Sequence, residues 1–338
     1  MSLDLFALQV SEATLHPVFK LVLEPRYEPE RRELQRWAQG FADRDAKFVR
    51  ELQTTFESSF WELYLNAALA EWGLPVDLSH HAPDFVVNGP QQFVMEATVA
   101  NPAKNGKPAY GYGVEDIPSD FTDFNLQSTI RLCNSFSSKV KRYREYYGAM
   151  QHVVDKPYVI AMASFDRPAA HLASSRPILA ALYGLYYDEQ ATGSDAKVVV
   201  SYDVHAAAKN EQTDVELGLF CDDQYTDVSA VIYSPVATWG KLRALADSPN
   251  ALTLYTTFHP RPGSLRPEMR HALKRDYSEH LLDGLMVFHN PFARHPLRLE
   301  TLAHPRIAQM TVTAAGRLDS LEPDDFLLMR LLQSVIER

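Results

Sequence analysis

The chain has 338 residues, of which 46% are hydrophobic and 22% charged, and its formal net charge is −10. This composition is that of a folded globular protein and excludes a disordered one, and no apolar run approaches the roughly 18 residues that a membrane-spanning helix needs. The negative charge excludes a protein coated with positive charge, although phosphate binding needs only a local basic stripe. Two such stripes occur, at 131–144 and 261–275, and the simplest interpretation of each is the solvated face of a helix.

The N-terminal sequence and the cysteines indicate a compartment. The first residues carry acids early and lack a basic block followed by an apolar one, so we expect no secretory signal. Cys133 and Cys221 are too few for a disulfide framework or a zinc site. We therefore expect a cytoplasmic protein without a membrane partner.

Residues 28–73 have the pattern of helix, with a break near 40–43. Gly73 suits the C-terminal end of this helical segment. An apolar stripe at helical spacing marks the second half and predicts a buried face, formed by Phe48, Leu52, Phe56, Phe60, Leu63 and Ala67.

Three strand candidates follow at 74–79, 84–88 and 92–100, and the turn sequence at 88–90 joins the last two into a hairpin. A long loop rich in Gly, Pro and Asn then covers 101–121, a length that is often functional.

Residues 123–147 predict a helix that follows this loop. The apolar run at 157–165 predicts a strand in the buried middle of a sheet. In the C-terminal half the patterns predict helices at 176–187, 237–246 and 322–337, and strands at 196–202, 227–235, 251–258 and 283–291.

Asp84 and Glu96 are acids on two of the apolar strands. An antiparallel hairpin places them near cross-strand partners, where two buried carboxylates repel each other. A divalent cation such as Mg²⁺ resolves this conflict, because it binds one or two carboxylates together with waters and phosphate oxygens. A salt bridge to Arg or Lys, or an edge location open to water, resolves it equally well.

These residues resemble a known family. A helix with a glutamate, a hairpin with Pro-Asp on one strand and Glu-x-Lys on the next, and then a helix and a strand form the core of the PD-(D/E)XK nucleases. The chain resembles this restriction-endonuclease-like superfamily over about 44–165. The matching elements are Pro83-Asp84, Glu96-Ala97-Thr98 and a helix glutamate, either Glu57 or Glu62.

The resemblance implies an α/β fold with an αβββαβ core, in which helices flank a central mixed sheet. Residues 1–43 would add N-terminal helices. Residues 166–338 would form a C-terminal α/β extension of unassigned type, either separate from the core or continuous with it.

Thr98 departs from the family pattern, because it stands where the family has a lysine that positions the attacking water. One interpretation is that another residue supplies the cation. Lys139 is the first candidate, since Arg131, Ser135 and Lys139 form an i, i+4, i+8 row on the predicted helix. Lys104, in the loop after the strand, is the alternative. The other interpretation is a site that has lost catalytic power.

By resemblance, the expected function is hydrolysis of phosphodiester bonds in nucleic acid, with DNA favoured over RNA. Mg²⁺ or Mn²⁺ would be held by Asp84, Glu96 and the helix glutamate, and Thr98 or Lys139 would orient the nucleophile. The residues expected to neutralise the nucleic-acid backbone are Arg131, Lys141 and Arg142.

Three alternatives stay open: an inactive nuclease-fold protein that acts as a binding module, a subunit of a homodimer or larger assembly on nucleic acid, and another enzyme in which the two acids are merely salt-bridged. Tyr143, Tyr146 and Tyr147 beside Arg142 and Arg144 also suggest a base-stacking surface, although tyrosines are more often core or rim residues.

Overall fold

Eight strands form one mixed sheet at the centre of the protein, seen in a computed structural model that describes residues 3–188, 191–193, 196–210 and 213–334. The helices are α1 (Pro17–Leu23), α2 (Glu28–Trp37), α3 (Phe48–Thr54), α4 (Glu57–Glu71), α5 (Phe121–Arg142), α6 (Arg176–Tyr183) and α7 (Trp239–Leu245). The first four strands are β1 (Val76–Asp77), β2 (Phe85–Asn88), β3 (Gln92–Ala100) and β4 (Tyr158–Ser164).

The remaining strands belong to the C-terminal half. They are β5 (Leu185–Tyr187), β6 (Ser201–Asp203), β7 (Ala206–Asn210), β8 (Thr213–Glu216), β9 (Ala230–Tyr233), β10 (Thr253–His259), β11 (Glu268–Leu273), β12 (Met286–His289), β13 (Ala308–Val312), β14 (Leu318–Leu321) and β15 (Met329–Ser334).

The central sheet has the order β1-β2-β3-β4-β9-β12-β13-β14. Strands β1 to β3 pair antiparallel, whereas β3, β4 and β9 are parallel neighbours. Because β3 and β4 are parallel, the chain between them must cross over the sheet, and α5 makes that crossover. Strands from the C-terminal half therefore continue the sheet that begins at β1, and a smaller sheet of order β11-β10-β15 lies beside it.

Helices cover both faces of the central sheet. Along β3 and β4 alternate residues point to opposite faces, and the two sets belong to two separate hydrophobic clusters. Met95 and Ala161 pack with α4, where the Trp61 Nε1–H donates to the Ala161 carbonyl at 3.0 Å. Val94 and Ile160 pack with the α5 side of the molecule.

Several predicted elements are confirmed. Strand β3 covers 92–100 as predicted, and every residue of β4 is buried between two parallel neighbours. The helical segment 28–73 is broken twice rather than once, because Phe56 adopts φ 40° between α3 and α4. A non-glycine residue with positive φ interrupts helical geometry.

The predicted helix at 322–337 is wrong, because Met329–Ser334 is strand β15, paired antiparallel with β10; residues 335–337 lie outside the described part. The predicted helix at 176–187 ends at Tyr183, since Gly184 takes φ 61° and β5 follows. The basic stripe at 261–275 is no helix face either, because β11 occupies 268–273.

A buried ionic network joins three distant segments of the C-terminal half. The Glu279 carboxylate pairs with the ammonium of Lys241 on α7 and, at 2.6 Å, with the guanidinium of Arg330 on β15. All three side chains are at most 2% exposed. The Arg330 guanidinium also donates to the Val236 carbonyl, and the Lys241 ammonium donates to the Asp283 carbonyl. Removing one partner from a buried ion pair is strongly destabilising, because the charge that remains has no counter-ion.

We expect Glu279→Gln to lower the free energy of unfolding by about 3–5 kcal/mol, because it leaves two buried cations without their carboxylate. Urea denaturation measures the loss. Glu268→Gln is the matched control, since Glu268 is 48% exposed and pairs with Arg270 on the surface; it should leave the free energy of unfolding nearly unchanged. Equal effects of the two changes would contradict a structural role for the network.

Candidate functional site

The β2–β3 hairpin brings Asp84 and Glu96 together. Phe85 pairs with Met95, so Asp84, the residue just before β2, stands opposite Glu96. Asp84 Oδ2 accepts the backbone N–H of Ala97 at 2.7 Å, which fixes this carboxylate against β3. Glu96 is buried, whereas the Asp84 side chain is 22% exposed at the mouth of a pocket.

A polar row on α5 runs along β3 and ends at Glu96. The Arg131 Nε–H donates to the Asn101 carbonyl at 2.8 Å, and Ser135 Oγ–H donates to the Val99 carbonyl at 3.2 Å. One turn further, Lys139 Nζ donates to Glu96 Oε1 at 2.7 Å. Positions i, i+4 and i+8 share one face of a helix. The contacts of Arg131 and Ser135 therefore fix how α5 lies along β3, and with it the position from which Lys139 binds Glu96.

These residues open into a pocket of about 300 Å³ between α4, the hairpin and α5. Glu62 contributes from α4, on the helix that packs against β3. The complete lining is Ser58, Glu62, His81, Ala82, Asp84, Glu96, Ala97, Thr98, Val99, Asn101, Lys139 and Arg142. Three carboxylates and two cations thus share one concave surface, an arrangement typical of a functional site.

Two carboxylates of the pocket, those of Asp84 and Glu62, hold their protons more tightly than free acids do. Burial, and then the charge of Glu96, raises the pKa of Asp84 to about 6, against the opposing effects of Lys139 and Arg44. Burial and the charge of Asp84 raise the pKa of Glu62 well above its ordinary value. The nearby cations therefore compensate the burial of Asp84 and Glu62 only in part.

This donor set suits a hard divalent cation. Mg²⁺ binds one or two carboxylates and keeps several waters, and Asp84 and Glu96 are two carboxylates that line the same pocket. Within the described residues, no three His, Cys, Asp or Glu side chains are arranged to hold one ion together. The fit thus rests on the two hairpin acids, with Glu62 as a third acid in the pocket wall.

The two candidate helix glutamates lie in different places. Glu62 lines the pocket, whereas Glu57 faces the N-terminal segment, with Oε2 3.5 Å from Nε2 of His16. Burial raises the pKa of Glu57 to about 7 and lowers the pKa of His16 to about 4. The ring of Tyr110, from the loop after β3, packs on His16. The structure thus separates Glu57 from Asp84 and Glu96.

The remaining candidates divide between the pocket and the surface. Thr98 and Arg142 line the pocket. Arg131 holds the loop after β3 through the carbonyls of Asn101 and Pro102, so part of its hydrogen-bonding capacity is used there. Lys141 is 72% exposed and lies 3.9 Å from Glu145, and Lys104 is exposed in the loop.

Residues that sequence patterns did not identify also shape the site. Arg44 donates to the His80 carbonyl and lies 3.9 Å from Asp84 Oδ1. It occupies the gap between α2 and α3, where no local pattern marks it. His81 and Ser58 line the pocket from a bend and from the first turn of α4.

Comparisons with known proteins find no relative of this chain: no family model, no curated protein and no solved structure matches it. Among the described helices, none is both long and apolar enough to span a bilayer. The case for an activity therefore rests on the side chains of the pocket.

We expect Asp84→Asn to raise the free energy of unfolding at pH 8 without metal by about 1–3 kcal/mol, because it removes an ionised carboxylate that burial and Glu96 oppose. The folded-state pKa is the higher one, so the loss of stability from ionising Asp84 grows as pH rises from about 4 to about 6 and is complete above about pH 6. The advantage of the Asp84→Asn protein therefore shrinks as pH falls towards the unfolded-state pKa of about 4.

Thermal melts in EDTA across this pH range measure the effect. Asp45→Asn is the control, because the Asp45 carboxylate is 61% exposed beside Lys47 and its removal should not stabilise. A destabilised Asp84→Asn protein at pH 8 would contradict the proposed electrostatic conflict in the pocket.

Proposed function

We propose that the protein is a Mg²⁺- or Mn²⁺-dependent phosphodiesterase that acts on nucleic acid, and that α4, β1 to β3, α5 and β4 form a restriction-endonuclease-like core. The observation that carries the proposal is the meeting of Asp84, Glu96 and Lys139 in one pocket, from a hairpin and the crossover helix behind it. Two acids can hold a divalent cation that activates water, and an adjacent ammonium can stabilise negative charge that develops on a phosphate.

Asp84 and Glu96 would hold the cation, and Glu62 would bind one of its waters or the cation itself. A bound Mg²⁺ supplies a more acidic water and polarises the scissile phosphate. The Ala97 N–H fixes the Asp84 carboxylate through Oδ2, while Oδ1 lies 3.9 Å from the Arg44 guanidinium. The protein thus keeps this acid oriented before any ligand arrives.

Lys139 takes the part of the lysine that Thr98 replaces. Glu96 and Thr98 are two residues apart on β3 and share the sheet face that α5 covers. The ammonium of Lys139 on α5 therefore occupies the region that a lysine at position 98 would reach. Lys139 would orient the attacking water and stabilise negative charge on the phosphate, and the Thr98 hydroxyl would donate one further hydrogen bond. Arg142, exposed at the pocket mouth, would contact a backbone phosphate.

A second candidate function is a nuclease-fold protein that binds nucleic acid or another protein without cleaving it. The Lys139–Glu96 ion pair favours this candidate, because it neutralises one of the two hairpin acids directly. Metal binding separates the two candidates, since only the first needs it.

We expect Mg²⁺ or Mn²⁺ to raise the melting temperature, because an ion that binds only the folded state stabilises it by about 1.4 kcal/mol at ten times its Kd. Thermal melts at increasing metal concentration measure this rise, which corresponds to roughly 2 °C. Asp84→Asn should abolish it, whereas Asp45→Asn should leave it intact. No rise with either ion at millimolar concentration would count against the catalytic proposal.

We expect Lys139→Ala to slow cleavage of labelled DNA or RNA by about 10²–10³-fold, the cost of removing a group that stabilises transition-state charge. Lys141→Ala is the matched control, because Lys141 lies two residues away and points to solvent. Adding Thr98→Lys to Lys139→Ala should recover part of the lost rate by returning an ammonium to the strand. Full activity of Lys139→Ala would overturn the role assigned to this lysine.

A further inference from the structure

The end of α5 is a π-helical turn, Tyr143–Tyr147, that sends its three tyrosines in different directions. Tyr147 is buried, with its hydroxyl 3.2 Å from that of Tyr158, and the ring of Tyr143 stacks on Tyr158 at 4.3 Å between centroids. Tyr146 instead projects outward and is 57% exposed. Two tyrosines thus anchor the turn, and the third is displayed. Turns of this kind occur frequently at functional sites.

The exposed ring of Tyr146 contacts a residue that lines the carboxylate pocket. Tyr146 meets the ring of His81 edge to face, with 6.4 Å between centroids, and His81 is an exposed residue of the pocket lining. Arg142, one helical turn before Tyr146, lines the same pocket. An aromatic ring next to His81 and the guanidinium of Arg142 thus accompany the same pocket that Asp84 lines.

The segment that carries His81 is held in place on both sides. The ring of His80 stacks on His152 at 3.8 Å between centroids, and His152 Nε2 lies 2.7 Å from the Ala82 carbonyl. Arg44 donates to the His80 carbonyl. The backbone at His81 is thus held in place before a ligand binds, which lowers the entropic cost of ordering this segment on binding.

We propose that the exposed ring of Tyr146, with the ring of His81 at 75° beside it, forms a stacking shelf for an unpaired base next to the scissile phosphate, so that the substrate of the pocket is a single-stranded polynucleotide. This inference rests on the proposed phosphodiesterase function of the same pocket. Successive bases of a duplex cover one another's faces, whereas an unpaired base offers its face to an aromatic ring. Arg142 neutralises the adjoining phosphate, and the combination of aromatic ring and cation tolerates any base.

The test measures binding in EDTA, where no metal-dependent cleavage occurs. Fluorescence anisotropy compares labelled single-stranded DNA, single-stranded RNA and a DNA duplex of the same length at low salt. We expect either single strand to bind more tightly than the duplex. Tyr146→Ala should weaken that binding by about 5- to 150-fold, the range measured for loss of one base–aromatic stack. Tyr146→Phe should bind like the unchanged protein, because the ring remains.

Tyr202→Ala is the matched control, because Tyr202 is 49% exposed on β6 and lies outside the pocket lining. It should leave the affinity unchanged. Tighter binding of the duplex, or equal affinities of Tyr146→Ala and Tyr202→Ala, overturns the shelf. A difference between the DNA and RNA strands identifies which of the two the shelf prefers and supports it in either case.

A cleavage assay with Mn²⁺ separates this inference from the proposed function. Loss of strand binding in Tyr146→Ala, with no cleavage by the unchanged protein, supports the shelf as a binding site for single strands and overturns the phosphodiesterase. Cleavage that Tyr146→Ala leaves unchanged supports the phosphodiesterase and overturns the shelf.

Discussion

Glu96 is the ionisable residue of a largely apolar strand, and the ammonium of Lys139 lies 2.7 Å from its carboxylate, where it stabilises the negative charge. That contact requires α5 to lie at one position along β3. The hydrogen bonds from Arg131 to the Asn101 carbonyl and from Ser135 to the Val99 carbonyl maintain this position. The parallel pairing of β3 and β4 follows from the same crossover. The candidate site and the centre of the sheet are therefore specified by one helix–strand interface.

The two buried clusters of charge in this protein differ in a way that separates structure from function. Glu279 receives two cations and a tyrosine hydroxyl, and burial does not prevent its pKa from lying below the ordinary value. In the pocket the cations are outweighed by burial and by neighbouring acids, so the pKa values of Asp84 and Glu62 are raised. The first arrangement is satisfied within the protein. The second stores an electrostatic conflict that a cationic ligand would relieve, which is the pattern found at functional sites.

Local patterns predicted the parts of the site that depend on local geometry. The alternation of β3 and the turn at 88–90 were enough to pair Asp84 with Glu96, and helical spacing alone aligned Lys139 with Arg131. Contacts between distant segments were beyond such patterns. Glu57 contacts His16, which is distant from it in the sequence, whereas Glu62 lines the pocket. The sequence alone could not distinguish the two glutamates. The sequence of β15 was predicted to be helical because a local pattern does not include partners that are distant in the sequence. Those partners are β10, which pairs with β15, and Glu279, which binds Arg330.

In the proposed function, the location of Lys139 on α5 rather than on β3 also determines the roles of Arg131 and Arg142. A lysine on β3 would be fixed by its own strand, whereas Lys139 depends on how α5 sits against that strand. Arg131 is then best understood as a positioning residue, because its guanidinium holds the Asn101 and Pro102 carbonyls rather than facing the pocket. Its loss would act on the site through the reach of Lys139 to Glu96 and through the loop after β3. In the proposed function, contact with a nucleic-acid backbone would fall instead to Arg142, which lines the pocket at the end of α5, four residues before Tyr146.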